Sequence, residues 1–282
     1  MMIRPLCLVD GAVATSIDSR DRGLAFGDGL FETLKVTDNN VQLFTAHWQR
    51  FAEGCRRLRL PPPQQDEFKR DIKKLVTDGT YVIKWLYTRG SGGRGYNAPS
   101  EPMARRIVMR AGFDSVGYAK KAQEGISVRY SDMRLSRQPC LSGIKHLNRL
   151  ENVLARMEWQ DDTISESLMF DEDDTLIEGV FSNVFVYVHG CWWTPELERC
   201  GIAGVMRAVV LDTLHQQGIE ARVGVIGRAM LEGAESLFMT NSLMPIWPVH
   251  RCQGRTLTIR QDVRRLQQAV AAHIATQGSL TL

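Results

Sequence analysis

Blocks of like charge, internal repeats and low-complexity tracts are all missing from this sequence. Its 35 Lys+Arg against 32 Asp+Glu leave a net charge of only +3. A nucleic-acid binder usually shows a basic stripe, so that class is disfavoured. A small anionic ligand needs only two or three placed arginines and stays open. No apolar run approaches the roughly 20 residues of a membrane span. The apolar start of MMIRPLCLVDGAV reaches Asp10 too soon for a signal-peptide core. The six cysteines, Cys7, Cys55, Cys140, Cys191, Cys200 and Cys252, never fall at C-x-x-C spacing. That argues against a zinc ribbon, gives a disulfide framework no support and suits a reducing cytosol. The expectation is a cytoplasmic protein with no metal, nucleic-acid or membrane partner.

What is present is ordinary for a soluble globular chain: 44% hydrophobic and 24% charged residues. A length of 282 residues accommodates two modest domains. Residues 5–44 read as strands with tight turns. A helix is expected after Thr45 as N-cap, with Trp48, Phe51, Cys55 and Leu58 on one face. PPP at 61–63 leads into a second helix with Phe68, Ile72 and Leu75 inward. TYVIKWLYTRG and RRIVMRAGF read as strands around the loop SGGRGYNAPSEP. The polar stretch 113–125 is the best candidate boundary, giving domains 1–115 and 116–282. Beyond it come ISVRYS as a strand, a helix from about 146, strands through 166–195, a helix over 204–217 stopped by Gly218, two more strands and a helix over 262–276. The alternation is too irregular for a doubly wound fold and points to two α/β or α+β domains with mixed sheets.

Five stretches carry possible chemistry. In LSGIKHLNRLENVLARMEW, Leu147, Leu150, Leu154 and Met157 form an expected buried stripe, with Lys145, Arg149 and Asn152 on another face. A lysine at a helix start opposes the macrodipole, which lowers its pKa and favours the neutral amine a nucleophile needs. A merely solvated lysine is the plainer alternative. In TLIEGVFSNVFVYV, Glu178 sits in an apolar run, so it is either exposed on an edge or held by a positive partner; Ser182 and Asn183 are close by. CGIAGVMR sets Gly201 and Gly204 before a helix, where free N–H groups could bind an anion. Arg50 in TAHWQRF is suited to phosphate or simply to solvent. YTRGSGGRGYN fails the nucleotide-loop patterns and reads as a ligand-bending loop with Arg89 and Arg94, or as a surface loop.

Taken in order, FGDGLFETLKV, LFTAHWQRF, TRGSGGRGY, GIKHLNRLENVLARME, EGVFSNVF, GIAGVMR and TNSLMPIWPV resemble the class IV (fold type IV) pyridoxal-phosphate enzymes. These include branched-chain and D-amino-acid aminotransferases and aminodeoxychorismate lyases; TRGSGGRGY and GIKHLNRLE are similar to the lyase members. The resemblance implies a two-domain, D-amino-acid-aminotransferase-like α+β fold of mixed sheets and flanking helices, with pyridoxal 5'-phosphate in a cleft. It implies that Lys145 carries the cofactor covalently and later moves a proton, and that Glu178 accepts a hydrogen bond from the pyridine nitrogen. Arg50, the backbone amides of Ile202 and Ala203, Ser242 and Asn241 would hold the cofactor, with Arg149 near its phenolic oxygen. Several relatives have a hydroxyl where Ala203 stands, so one phosphate contact would be missing. Arg89, Arg94 and Tyr87 would meet the substrate, aminodeoxychorismate, which would yield 4-aminobenzoate and pyruvate in folate synthesis. A homodimer is implied as well. An aminotransferase acting on branched-chain or D-amino acids, and a non-enzymatic scaffold that kept the fold, are the alternatives.

Overall fold

The computed structural model describes residues 6–281 except Thr15. The chain forms two compact units. The first takes the described residues through Phe113, then Ile144–Asn148, then those from Thr276 onward; the second takes Asp114–Gly143 and Arg149–Ala275. The chain therefore returns to the first unit twice after the expected boundary near residue 115, because short extended segments complete its sheet.

That sheet has seven strands in the order Leu280–Thr281, Asn40–Val41, Gly29–Thr37, Thr80–Thr88, Arg105–Gly112, Leu6–Val9 and Ala12–Val13, each pair antiparallel. Inward residues alternate along Gly29–Thr37, where Leu34 and Val36 are buried, as a strand with one covered face requires. The helices Phe44–Arg57 and Gln65–Lys74 close the core. Phe51, Phe68, Trp85 and Tyr87 meet edge-on or tilted with ring centroids 5.3–6.0 Å apart, a favoured aromatic geometry. The first helix does not start after Thr45: Leu43, at φ +54°, precedes it, and the Thr45 N–H donates to the Gly278 carbonyl.

The second unit holds a nine-stranded mixed sheet. Four of its strands, Ile164–Asp171, Leu176–Gly179, Asn183–Val188 and Ser236–Thr240, are buried nearly throughout. Strand pairs at Trp192/Ala221, Val249/Ile126 and Ser127/Ile164 run parallel, the others antiparallel. The polar stretch 113–125 is a helix, Ser115–Glu124, whose Asp114 cap accepts from the Gly117 N–H. The helices Val205–Gln216 and Gln261–Thr276 fall where the sequence predicts them, with Gly218 at φ +67°. No helix among the described residues is long and apolar enough to cross a membrane.

The helix expected from 146 is corrected: it spans Leu150–Met157. Before it the chain is extended, because the Phe31 N–H donates to the Lys145 carbonyl and the Leu147 N–H to the Gly29 carbonyl. Those bonds take up groups a helix would need internally. The stripe is corrected too. Leu150, Leu154 and Met157 are 69%, 44% and 66% exposed, and Ala155 faces the core.

Candidate active site

Lys145 lies on a strand edge, so the dipole argument for its chemistry fails and a positional one replaces it. His146 bridges to Leu30, and the Lys145 Nζ sits 4.3 Å from the centroid of the Phe31 ring. Glycine makes this docking possible: a Cβ at Gly29 would run into the Tyr87 carbonyl and the Leu147 side chain. The FGDGLF motif is thus read as the seat of the lysine segment. An ammonium over an aromatic face is attracted by the negative face of the ring, which holds the amine in place.

Within the same unit, Arg50 donates from Nε to Glu32 Oε1 at 2.8 Å and from a terminal nitrogen to Oε2 at 2.5 Å. His47 Nδ1 lies 2.7 Å from Glu32 Oε2. Glu32 and His47 are both fully buried. Burial alone would raise the Glu32 carboxyl, but Arg50 and His47 together hold it at about 2. An ionised carboxylate accepts only, so His47 Nδ1 is the donor. Burial lowers the His47 pKa, with Arg50 and Lys145 adding to the effect against the pull of Glu32. Burial thus favours the neutral imidazole. Sequence reading missed Glu32 and His47; the HWQR spacing, which puts residues 47 and 50 on one helix face, is the signal that could have found them.

In the second unit Glu178 ends a buried strand at 3% exposure, and its Oε2 accepts from the Ile202 N–H at 2.8 Å. It is thus neither an exposed edge residue nor an isolated buried charge. Arg149 is near enough for Glu178 to support its charge, while burial pulls its pKa down. Gly201, at φ +87°, lets the 200–204 turn pass under Glu178. Asn183 Nδ2 donates to the Ile202 carbonyl at 2.9 Å, which ties EGVFSN to GIAGVMR.

Several expected site residues have other engagements. The Ile202 amide donates to Glu178 and the Ala203 amide to the Gly143 carbonyl at 3.2 Å, so both N–H groups assigned to phosphate are already used within the unit. Asn241 holds its own turn: Oδ1 accepts from Leu243 and Met244 N–H, and Nδ2 donates to the Phe181 carbonyl. Ser242 lies half-buried in that turn. Arg89 is committed to the scaffold, donating to both oxygens of Asp28 and to the Leu58 and Arg59 carbonyls. Tyr87 is a core residue whose hydroxyl donates to the Pro61 carbonyl at 3.3 Å. Both side chains are thus engaged within the unit, by partners 26 to 61 residues away that sequence alone cannot reveal. Arg94 is exposed in its loop, and Arg22 fastens that loop by donating to the carbonyls of Gly95, Tyr96 and Asn97.

A family model described as amino-transferase class IV matches residues 29–252. The aminodeoxychorismate lyase of Vibrio harveyi is 30% identical over 86% of this chain and 89% of its own length. The crystal structure of 4-amino-4-deoxychorismate lyase from Pseudomonas aeruginosa superposes with a TM-score of 0.88 at 39% identity, covering 95% of this chain and 98% of that one. The branched-chain amino acid aminotransferase of Escherichia coli shares the fold, with a TM-score of 0.83 at 21% identity over 95% and 94% of the two chains. With a match from Gly29 to Cys252 that takes in the lysine segment, the buried glutamate and both glycine turns, the chain belongs to the class IV aminotransferase family.

Proposed function

We propose that this chain is a pyridoxal-phosphate-dependent lyase that converts 4-amino-4-deoxychorismate to 4-aminobenzoate and pyruvate in folate synthesis. The observation that carries this reading is a contrast at constant fold: 39% identity to a lyase against 18–22% to branched-chain aminotransferases of similar TM-score. We further propose a cytoplasmic homodimer.

The donor set suits the cofactor. It offers an amine seated over an aromatic ring at Lys145, a buried carboxylate at Glu178 and a pre-oriented guanidinium at Arg50. When bound, pyridoxal phosphate supplies an electron sink that acidifies the C–H bond beside a substrate amine. Lys145 would be the covalent attachment point. Glu178 would accept from the pyridine N–H and favour its protonated form. Arg50, with Glu32 and His47 behind it, would meet the phosphate, and Ser242 would add a hydroxyl donor. For Ile202, donation to Glu178 is itself the useful contact, since it aims the carboxylate; the Ile202 and Ala203 amides join the phosphate only by sharing. Arg149 balances negative charge beside Glu178.

With the cofactor bound, Lys145 would be the general base that takes the proton from the amine-bearing ring carbon. The electron pair left behind expels the enolpyruvyl oxygen from the neighbouring carbon, and the ring becomes aromatic. The released enol gains a proton and becomes pyruvate. Arg94 is the arginine we assign to a substrate carboxylate, since Arg89 is held by Asp28.

The test couples purified protein to a source of aminodeoxychorismate and measures both products. Equal pyruvate and 4-aminobenzoate, reduced to near background in Lys145→Ala, is the expected result. Stoichiometric conversion of the bound cofactor to its pyridoxamine form by a lone amino acid, without 4-aminobenzoate production, would instead identify an aminotransferase.

A further inference from the structure

Four hydrogen-bond donors converge on one buried carboxylate for which the chemistry above has no use. Glu166, on the Ile164–Asp171 strand, is 1% exposed. Its Oε1 accepts from the Ser167 N–H at 2.9 Å and the Val180 N–H at 3.0 Å. Its Oε2 accepts from the Phe181 N–H at 3.0 Å and the Ser182 hydroxyl at 2.7 Å. All four are dipoles and none is a cation. Burial pushes this carboxyl up to about 7, while the four donors favour its ionised form. Only a carboxylate can accept on both oxygens from four donors at once; an amide would set N–H against N–H.

The turn wrapped around Glu166 directly follows Glu178. With the Val180 and Phe181 amides turned inward, their carbonyls point away. Val180 O accepts from Asn152 Nδ2 and Phe181 O from Asn241 Nδ2, each at 3.0 Å. The Gly179 N–H closes the turn by donating to the Ser182 carbonyl at 2.6 Å. The fit is close enough that a Cβ on Gly179 would meet Ser182 Oγ at 2.6 Å and Glu166 Cδ at 3.0 Å. One buried carboxyl group thus ties together the turn after Glu178 and, through Asn241, the turn that carries Ser242.

We propose that Glu166 is a positioning residue for the cofactor: its carboxylate fixes the 179–182 turn and thereby the aim of Glu178 and the placement of Ser242. This rests on the reading of Glu178 as partner of the pyridine nitrogen. It requires no contact between Glu166 and cofactor or substrate.

Glu166→Gln keeps the shape and reverses one acceptor. Three measurements on the full-length protein decide the matter: pyridoxal-phosphate dissociation by titration, the visible maximum of the bound cofactor, and amide exchange of peptides covering 177–184 and 240–245. The expected result is affinity weakened about tenfold, the size typical when a residue behind a ligand is lost. A shifted visible maximum and faster exchange in both turns should accompany it, with the 183–188 strand still protected. A purely structural role would lower the melting temperature and leave the maximum of the folded protein where it was. Wild-type maximum, affinity within twofold and unchanged exchange in Glu166→Gln would overturn the proposal alone. A wild-type protein that takes up no pyridoxal phosphate would overturn the underlying reading and the proposal with it. If Glu166→Gln does not fold, Ser182→Ala decides: it removes one of the four donors, so a smaller loss of affinity in the same direction is required, and wild-type affinity refutes the idea.

Discussion

Glu32 holds two groups, the Arg50 guanidinium and the His47 imidazole, through its two oxygens. Its carboxyl titrates at about 2 rather than 4.5. A carboxyl depressed on folding contributes stability that is complete above the ordinary value and is lost as pH falls from about 4.5 towards 2. The depression corresponds to a contribution on the order of 3 kcal/mol. His47 acts in the same direction: its lowered pKa makes the unfolded chain the better proton acceptor, so stability declines as pH drops below 6.5. Acid denaturation monitored by circular dichroism should therefore show a slope in the wild type that Glu32→Gln flattens below pH 4.5. The same variant should release Arg50 and weaken cofactor affinity roughly tenfold. A second residue-scale prediction separates scaffold from substrate contact. Arg89→Ala should cost about 2 kcal/mol in urea denaturation, because it takes from Asp28 one of its two arginine partners, leaving Arg22, and removes the donor to two carbonyls. A raised substrate KM at unchanged stability would return Arg89 to the role first expected of it. Lys145, Glu178 and Arg50 could be singled out from the sequence because short motifs carry them. The partners of Arg89 and Tyr87, Asp28 and the aromatic cluster, could not, because they lie far away along the chain.

Among the secondary-structure elements, periodicity was most informative where one face is buried. Phe51 and Cys55, and Phe68 and Ile72, mark their helices correctly because each packs on the sheet of the first unit. The Leu150–Met157 helix misled because its apolar stripe faces outward and its only fully buried side chain is the smallest, Ala155. That inversion makes a measurable prediction. Ala155→Leu should destabilise by about 1–3 kcal/mol through overpacking, more than Leu154→Gln on the exposed face, as read from chemical denaturation midpoints. The extended 144–148 segment was illegible for a related reason: its conformation is set by the free edge at Gly29–Phe31, which no local propensity encodes. Turn chemistry was easier to read. Gly201 and Gly218 stand at positive φ where the sequence suggested turns.

For the molecule as a whole, the polar stretch 113–125 lies where the chain first changes unit, after Phe113. The three-segment make-up of the first unit was not legible in the sequence, since two of its segments are only five to seven residues long. Binding of pyridoxal phosphate should stabilise the chain by about 2.7 kcal/mol at a hundredfold excess over Kd, raising the melting temperature by several degrees. Lys145→Ala should lose most of that gain in differential scanning calorimetry if Lys145 carries the cofactor as proposed.

The route by which the first sheet is completed has a consequence for biosynthesis. A ribosome releases the aromatic core and most of the strands early. The segment bearing Lys145 emerges only after the second unit has begun, and Leu280–Thr281, which pairs with Asn40–Val41, follows more than a hundred residues later. Until then the nascent chain displays two unpaired strand margins, the kind of surface that recruits foreign β-structure. A stalled translation product ending before Ile144 should therefore be a chaperone client, lacking both the amine and the strand margin that would have protected it.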